Sequence, residues 1–351
     1  MRKKLLIVIA ILAALLLITD IGGSFYMVSY ALAPNPERQD TAMRFRQLYD
    51  DYPETRPWVD SLRRAGALTD TFVVMASGER HHAFVVRQAP RLSAADSVVG
   101  ISGDSISVVG ISGDSISAAS ISGDSVIAAS RCQRTAVIVH GWRDQAIGML
   151  MIARLYEQMG WNIVVPDLHA HGLSDGDAIG MGWNERWDVL QWMRLFMTDT
   201  MVVHGISMGA ATTMNVAGET MPEGIRSLRF VEDCGYTGVW DEFRYEMGEE
   251  FGLPAFPLLH TASLLCRVKY GWSFAEASPL RQLSSCRYPM LFIHGDNDHF
   301  VPSHMVHPLY AAKPQPKELW VTEGVEHALS YKTYPDEYAR RLRRFLECDT
   351  H

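Results

Sequence analysis

One serine of the sequence stands in a pattern that turns serine into a nucleophile. Gly205-Ile206-Ser207-Met208-Gly209 follows a run of β-type residues and precedes a helical pattern. Glycines on both sides allow a tight turn from strand to helix that exposes the serine hydroxyl. We therefore predict that Ser207 is a nucleophile and that Gly205 and Gly209 shape its turn. The alternative is a serine that caps a helix in a glycine-rich loop.

A nucleophilic serine needs a base, and we predict that the base is His327. A serine hydroxyl is a weak nucleophile until a nearby base accepts its proton. In sheets with this kind of nucleophile turn, the acid and then the histidine follow the serine along the chain. His327 comes just after the last predicted strand, which places it at the same edge of the sheet as Ser207.

An acid must orient the histidine, and two aspartates compete for that role. Asp296 and Asp298 both follow the predicted strand 290–293, so both lie at the correct edge of the sheet. We predict Asp298 as the acid and keep Asp296 as the alternative, because one of the two is expected to structure the turn. Asp233, after the preceding strand, is a third option.

Acyl transfer also needs two N–H donors for the oxyanion. The first predicted donor is the backbone N–H of Met208, and the second belongs to the loop that follows the third strand. That loop reads His140-Gly141-Trp142, so we predict the N–H of Trp142. Core packing is the alternative role for Trp142. This chemistry needs neither a metal nor an organic cofactor, and none is predicted.

The elements around these residues alternate between strand and helix. Two β-rich runs, 71–75 and 83–87, suggest a hairpin. Buried strands are then predicted at 136–139, 162–166, 201–204, 228–231, 290–293 and 319–321, with helices between them. This order predicts an α/β fold with a mostly parallel sheet and flanking helices, with ligands at the carboxyl ends of the strands. Helical spacing before the sheet, at 40–66, is interrupted by Pro53 and Pro57.

The N-terminus carries an export signal. Arg2, Lys3 and Lys4 precede an unbroken apolar run from Leu5 to Ile18. We predict an uncleaved anchor within 1–33 with the catalytic domain outside, because positive charge stays on the cytoplasmic side. The alternative is cleavage after Ala31-Leu32-Ala33 and release of a secreted or periplasmic protein.

A decapeptide repeat interrupts the predicted sheet. Ile-Ser-Gly-Asp-Ser recurs at Ile101, Ile111 and Ile121. We interpret 96–130 as a duplicated, tolerated loop, since added loop length costs little free energy. Hairpin arms are an alternative. Calcium binding is not expected, because one aspartate per ten residues lacks the clustered oxygen ligands that calcium needs.

Overall composition excludes several classes of protein. With 48% apolar and 21% charged residues, the chain of 351 residues is neither disordered nor fibrous. A net charge of −8 argues against a nucleic-acid partner. Five cysteines are too few for a disulfide scaffold, and the sequence assigns no pair.

Residues 236–279 lack clear strands and predict a helical lid. Its large apolar side chains suggest an acyl or aromatic pocket, with packing inside the lid as the alternative. These side chains are Trp240, Phe243, Phe251, Phe256, Leu258, Leu259 and Trp272. The predicted organisation is an anchor (1–33), a helical extension (34–69) and one catalytic domain (70–351).

Five motifs resemble those of the α/β-hydrolase superfamily over about residues 70–347. They are His140-Gly141-Trp142, Asp167–Ser174, Gly205–Gly209, Gly295–Pro302 and Glu326-His327. The second resembles the D-x-R-G-H-G-x-S loop of esterases, lysophospholipases and serine aminopeptidases, with His169 and Ala170 where arginine and glycine are usual. An anchor, a single domain and G-D-x-D-x-x-V-P are similar to Bem-type membrane-anchored hydrolases. The resemblance implies Ser207 as nucleophile, His327 as base and Asp298 as acid.

The expected function is that of a serine hydrolase, of carboxylesterase or lipase type. It would cleave an ester, thioester or amide of a small-molecule or lipid-like substrate, or of a peptide, through an acyl-enzyme. A rival is a serine aminopeptidase, in which Glu242, Glu246 or Glu249 of the lid would bind the substrate amine. An inactive binding module and a non-hydrolytic lyase on the same fold are two more rivals.

Overall fold

The apolar runs of the sequence form the strands of one sheet. The computed structural model describes residues 2–88, 96–102, 105–112, 115–120 and 134–347. Its strands are β1 (Leu68–Val74), β2 (Arg80–Val86), β3 (Asp96–Ser102), β4 (Ser105–Ser112), β5 (Ser115–Ser120), β6 (Arg134–Val139), β7 (Asn162–Pro166), β8 (Thr200–Ile206), β9 (Ser227–Asp233), β10 (Met290–Gly295) and β11 (Lys317–Thr322). The strands β6 to β11 form a parallel block in the order β11-β10-β9-β8-β6-β7. At the β7 side of this block, β2 pairs antiparallel with β7. The sheet is therefore mostly parallel, as predicted.

Helices cover both faces of this sheet. They are α1 (Arg2–Leu32), α2 (Thr41–Asp51), α3 (Thr55–Arg64), α4 (Leu150–Gln158), α5 (Glu185–Leu195), α6 (Met208–Ala217), α7 (Val239–Phe251), α8 (Leu258–Tyr270), α9 (Pro279–Leu283), α10 (Val306–Ala312), α11 (Ser330–Thr333) and α12 (Pro335–Glu347). Successive residues of a strand point to opposite faces. Val137 and Val139 of β6 thus belong to one apolar cluster, and Ala136 and Ile138 to the other. Because both faces are covered, the central strands are apolar throughout.

The two prolines before the sheet have different effects. Pro53 lies between α2 and α3, where a break was predicted. The break predicted at Pro57 is wrong, because Pro57 lies in the first turn of α3. A missing N–H costs nothing there, since the first N–H groups of a helix have no partner within it. Leu48 of α2 and Val59 of α3 are buried in the same apolar cluster as Ile138.

The described part of the decapeptide repeat forms strands, as the hairpin alternative predicted, and the tolerance of this insertion to changes in length stays a prediction. β3 lies parallel to β1, and β4 and β5 follow antiparallel at that edge of the sheet. Ser102 pairs with Ser105, and Ser112 pairs with Ser115. The Gly-Asp of each of these two copies lies outside the described residues. The third copy, in 121–130, lies outside the described residues.

The N-terminal segment is a single helix that is longer than its apolar run. Within the described part of the chain, α1 has the length and apolar composition to cross a membrane. At about 1.5 Å per residue its 31 residues rise about 46 Å. Side chains are exposed from Arg2 to Thr19, whereas Ser24, Val28 and Leu32 are buried against the domain. The two lid helices, α7 and α8, lie between β9 and α9.

Candidate active site

Ser207 lies on a strained turn between β8 and α6. Its backbone φ of 58° and ψ of −123° fall in a region that a residue with a side chain rarely adopts. A Cβ on Gly205 would overlap the carbonyl of Gly209, and a Cβ on Gly209 would overlap the carbonyl oxygen of Val139. Two glycines are therefore required for the turn to fit beneath β6. The strain holds the Ser207 hydroxyl at the carboxyl edge of the sheet.

The structure brings Ser207, His327 and Asp298 into one chain of hydrogen bonds. Nε2 of His327 lies 2.8 Å from Oγ of Ser207, and Nδ1 lies 2.7 Å from Oδ2 of Asp298. Each residue follows a different strand of the sheet, namely β8, β11 and β10. Parallel strands end at the same edge, which is why residues 120 positions apart meet here.

The Asp298 carboxylate is held ionised by its neighbours. Burial by itself would raise the pKa of this carboxyl, but hydrogen bonds and charge from His294 and His327 outweigh it and lower the pKa to about 2. Oδ1 also accepts the backbone N–H groups of Phe300 and Val301, at 3.0 and 2.9 Å. A fixed negative charge thus faces Nδ1 of His327.

His294 is a neighbour of the site that the sequence did not identify. Its Nε2 donates to the carbonyl of Val301 at 2.9 Å and lies 3.4 Å from Oδ2 of Asp298. Burial lowers its pKa, but contact with Asp298 and the nearby charge of Glu232 raise it overall. His294 lies in β10, four residues before Asp298, and its place directly before the motif Gly295–Pro302 was the one signal in the sequence.

The two alternative acids have other partners. Asp296 is exposed, and its Oδ1 accepts the backbone N–H of Gly324 at 2.6 Å. It therefore ties the loop that carries His327 to the end of β10, the turn-structuring role expected of one aspartate. Asp233 is buried, where its carboxylate accepts the hydroxyl of Tyr338 at 2.9 Å and its carbonyl accepts the N–H of Ser207. Among the described contacts, neither carboxylate bonds to His327.

The loop after β6 lies directly against the serine. A Cβ on Gly141 would stand 3.3 Å from Cβ of Ser207, so this loop approaches the hydroxyl closely. Met208 begins α6, where the first N–H groups of a helix have no partner within it. The backbones at Trp142 and Met208 are thus placed on two sides of the serine. Trp142 lines the cavity above the serine and, partly buried, also packs against one of the two apolar clusters.

A second loop, 167–174, fixes the position of the first. The buried carboxylate of Asp167 accepts the N–H groups of Ala146 and Leu173, at 2.7 and 2.9 Å, and contacts Nδ1 of His82 at 2.8 Å. Nε2 of His171 accepts the N–H of Arg143 at 3.2 Å. The motif Asp167–Ser174 therefore serves to hold the loop beside Ser207.

A largely apolar cavity of about 250 Å³ opens onto Ser207. Phe243, Phe251 and Leu258 of the lid line it, as the sequence suggested. Leu259 and Trp272 are instead buried in the core, and Phe256 is 72% exposed. Residues of α1 also line the cavity, which nothing in the sequence indicated.

Three lid glutamates face this cavity. Glu242, Glu246 and Glu250 follow one another at helical spacing along α7 and line the cavity, whereas Glu249 does not. Burial raises the pKa of Glu242 well above its ordinary value and that of Glu246 to about 7. In the described part of the chain, Oε2 of Glu242 has no hydrogen-bond partner.

A buried cysteine lies beside the site without a role in it. Sγ of Cys234 and one ligand atom each of Asp298 and His327 lie within 4.8 Å of one another. Burial raises the pKa of this thiol well above its ordinary value, which disfavours a thiolate ligand. His327 uses both ring nitrogens for Ser207 and Asp298, so the three groups do not suit a metal. Cys266 and Cys286 are buried free thiols, and Cys132 and Cys348 lie outside the described residues.

Solved structures share this architecture. An esterase of Pyrococcus furiosus aligns over 80% of the chain and 90% of its own, with a TM-score of 0.55 and 18% identity. A hydrolase of Pseudomonas aeruginosa aligns over 81% of the chain and all of its own, with a TM-score of 0.50 and 15% identity. An alpha/beta hydrolase of Penicillium gives a TM-score of 0.50 at 12% identity, over 80% and 98%. At these identities the similarity establishes the fold.

Comparison with known sequences identifies a relative of higher identity than these structures. No family model matches it. The uncharacterized protein YqkD of Bacillus subtilis is 30% identical over 218 residues, which cover 61% of this chain and 71% of YqkD. The chain has the α/β-hydrolase fold and belongs to the family of YqkD.

The strain at Ser207 predicts an increase in stability when it is relieved. Glycine adopts a φ of 58° without steric cost, whereas alanine keeps the Cβ. We expect Ser207→Gly to have a higher free energy of unfolding than Ser207→Ala, by about 1 kcal/mol. Thermal unfolding of both purified variants measures the difference. A Ser207→Gly variant that unfolds below Ser207→Ala would contradict a strained turn.

Proposed function

We propose that this protein is a serine hydrolase that cleaves an ester, thioester or amide through an acyl-enzyme. The observation that carries the proposal is the hydrogen-bond chain from Asp298 through His327 to Ser207, which ends in an apolar cavity. A strained serine, a base within 2.8 Å and a buried acid within 2.7 Å of that base are the groups this reaction needs.

In the first half of the proposed reaction, Oγ of Ser207 attacks the substrate carbonyl carbon. Nε2 of His327 takes the hydroxyl proton, and Asp298 stabilises the imidazolium through Nδ1–H. The carbonyl oxygen becomes an oxyanion held by the backbone N–H groups of Met208 and Trp142. Collapse of this intermediate breaks the bond to the leaving group, which receives the proton from His327.

In the second half, water replaces the leaving group. His327 takes a proton from the water, whose oxygen attacks the acyl carbon bound to Ser207. A second oxyanion forms in the same place and collapses, releasing the carboxylic acid and returning the proton to Ser207. The reaction needs no metal and no organic cofactor.

The walls of the cavity favour an ester with an apolar acyl group. Aromatic and aliphatic side chains such as Phe243, Phe274 and Met247 surround the space above Ser207. Burial of apolar substrate surface there releases about 25 cal/mol per Å². An esterase or lipase-like activity on a small-molecule or lipid-like substrate is therefore the first candidate.

A serine aminopeptidase is the second candidate, and two lid residues favour it. Glu242 and Glu246 line the cavity and could bind the ammonium group of a peptide. The raised pKa of Glu242, due to burial, favours the neutral acid in the free protein. To form an ion pair, Glu242 would have to release its proton to water as the ammonium binds, so this candidate requires a buried charge that the apolar one does not.

A binding module on the same fold receives less support, because binding without catalysis has no need for a strained serine whose hydroxyl bonds to a histidine. A non-hydrolytic lyase stays a rival.

We also propose that the protein is anchored by α1 with its catalytic domain on the extracytoplasmic side. Arg2, Lys3 and Lys4 precede the apolar run, and positive charge stays on the cytoplasmic side of a membrane. The secreted or periplasmic alternative requires loss of α1.

A fluorophosphonate probe tests the nucleophile, and two aspartate variants test the acid. We expect the probe to label the wild type and not Ser207→Ala. We expect Asp298→Asn to lower kcat on p-nitrophenyl butyrate by roughly 10⁴, because the histidine loses its correct tautomer. Asp296→Asn, which only ties the loop, is the matched control and should lose far less. Labelling of Ser207→Ala, or a larger loss in Asp296→Asn, would contradict the assignments.

Glu242→Gln separates the two candidate functions. Glutamine keeps the shape of glutamate but cannot carry its charge. For an esterase we expect kcat/KM on p-nitrophenyl butyrate to stay within about threefold, because burial raises the pKa of Glu242 and so favours the neutral acid, which glutamine resembles. For an aminopeptidase, loss of a buried ion pair of about 3 kcal/mol should lower kcat/KM on an aminoacyl p-nitroanilide by roughly 100-fold. Kinetics on both substrates, with Glu249→Gln as the control outside the cavity, decide between them.

A further inference from the structure

We propose that α1 is a wall of the acyl-binding cavity as well as an anchor, and that the cavity takes the acyl chain of a lipid ester that arrives from the bilayer along α1. This inference rests on the proposed hydrolase function and names its substrate class. It follows from the position of α1, from the exposed apolar side chains of the lid and from the antiparallel packing of α1 against α8.

The second half of α1 is bound to the domain by specific contacts. Oγ of Ser24 donates to the carbonyl of Leu258 at 3.0 Å, and Oγ1 of Thr261 donates to Asp20 at 2.6 Å. The indole of Trp142 donates to the carbonyl of Ala31 at 2.8 Å. The helix thus contacts both the lid and the predicted oxyanion loop.

This same half of α1 lines the cavity that contains Ser207. Gly23, Tyr26, Met27, Tyr30 and Ala31 all face it. They lie opposite Phe251 and Phe243 of α7, and the rings of Tyr30 and Phe251 meet edge to face at 6.4 Å. Without α1 the cavity would therefore lack one side.

The first half of α1 has no such cover. Every large apolar side chain from Leu5 to Ile18 is at least half exposed. Met27, in the cavity wall, is nine residues from Ile18, or about 14 Å along the helix. If the apolar run lies in a bilayer, then the cavity wall at Met27 lies about 14 Å along the helix from the membrane surface.

The lid adds a second apolar surface next to α1. Leu253, Phe256, Leu264 and Val268 are 45 to 78% exposed, unusual for large apolar side chains that lie close together in the chain. Since Ser24 contacts Leu258 and Asp20 contacts Thr261, α8 runs antiparallel to α1. Leu264 and Val268 are therefore at the end of α8 that points toward the apolar run, and a lipid surface fits them.

The same geometry bears on signal cleavage. Leu32 is buried, and its carbonyl accepts the N–H of Ile179 at 2.8 Å. Arg143 donates to the carbonyl of Tyr30 at 2.6 Å. Cleavage after Ala33 would remove these contacts together with the cavity wall. An uncleaved helix is thus part of the catalytic unit.

Chain-length selectivity tests the wall. Met27→Trp fills the cavity from α1, and Ile11→Trp makes the same change in the exposed apolar run. With full-length protein in phosphatidylcholine vesicles, we expect Met27→Trp to lower the ratio of kcat/KM on p-nitrophenyl dodecanoate to kcat/KM on p-nitrophenyl acetate at least roughly tenfold. Ile11→Trp should leave this ratio unchanged. Equal losses on both esters, or no loss on either, would contradict the assignment of α1 as a wall of the acyl-binding cavity.

Access from the bilayer is tested with a charge on the lid. Val268→Glu should lower hydrolysis of a monoacylglycerol held in vesicles by roughly fivefold, because a charge near lipid is costly. Val321→Glu makes the same change at an exposed site on β11. Hydrolysis of p-nitrophenyl acetate should be unchanged in both. Equal activity of both variants on the vesicle substrate would overturn bilayer access, whereas acetate hydrolysis that survives Ser207→Ala would overturn the hydrolase proposal itself.

A separate observation carries a second inference, a zinc site built by Glu79, His81 and His169. One ligand atom from each lies within 4.8 Å of the others. We propose that these three bind Zn²⁺ with water as the fourth ligand, a common tetrahedral set. The site joins the β1–β2 hairpin to the loop after β7, and it uses the histidine that stands where related loops have arginine.

His81 is the strongest reason for a metal. Its side chain is fully buried, and in the described part of the chain neither ring nitrogen has a hydrogen-bond partner. A buried imidazole without a partner is costly. Its Nε2 lies 3.7 Å from Glu79, and its Nδ1 lies 3.7 Å from the carboxylate of Asp188. A carboxylate behind a metal-binding histidine is the usual way in which the ring is oriented.

Zn²⁺ titration of the metal-free full-length protein tests the site. We expect calorimetry to give one bound Zn²⁺ and the unfolding temperature to rise. His81→Gln and the more exposed His169→Ala should each weaken binding at least roughly tenfold, and His307→Gln, at an exposed site, should not. The His169 variant keeps the test valid if His81→Gln fails to fold. No heat of binding in the wild type, or the same affinity in His169→Ala, would overturn the site.

Discussion

Close packing of three backbone segments beneath Ser207 is the constraint on which the site depends. Gly205 and Gly209 touch each other, and Gly209 touches the end of β6. No side chain fits at either position, so the turn from β8 to α6 cannot relax to an ordinary conformation. The strands β6 and β9, which pair with β8 on its two sides, hold Ser207 in its strained conformation.

The rest of the site is arranged around this fixed turn. β10 and β11 end at the same edge as β8, so that Asp298 and His327 approach the serine from one side. The loop after β6 approaches from the other side, held by Asp167 and His171. Backbone N–H groups of these loops donate to the buried carboxylates of Asp298 and Asp167, and such contacts fix loop positions more firmly than surface ion pairs do.

Above the serine lie α1 and the lid. They supply the apolar walls, and both carry large apolar side chains into solvent. If α1 is both an anchor and a cavity wall, as we propose, it fixes the distance between the membrane surface and Ser207. Membrane attachment and the choice of substrate would then both depend on α1. The three glutamates of α7 that line the cavity would determine whether it accepts a charged substrate.

The sequence by itself determined the fold class and the candidate catalytic residues. Buried parallel strands are apolar throughout and separated by helices, so their pattern survives without tertiary information, and the nucleophile turn has a local glycine signature. From the sequence we favour Asp298 and keep Asp296 as the alternative, because both follow β10. The loop after β11 decides which carboxylate faces His327 and which holds Gly324. Likewise, an apolar N-terminal run indicates a helix, but its docking on α8 depends on contacts between residues 234 positions apart. Local periodicity determines elements, whereas long-range packing decides which of their faces meet.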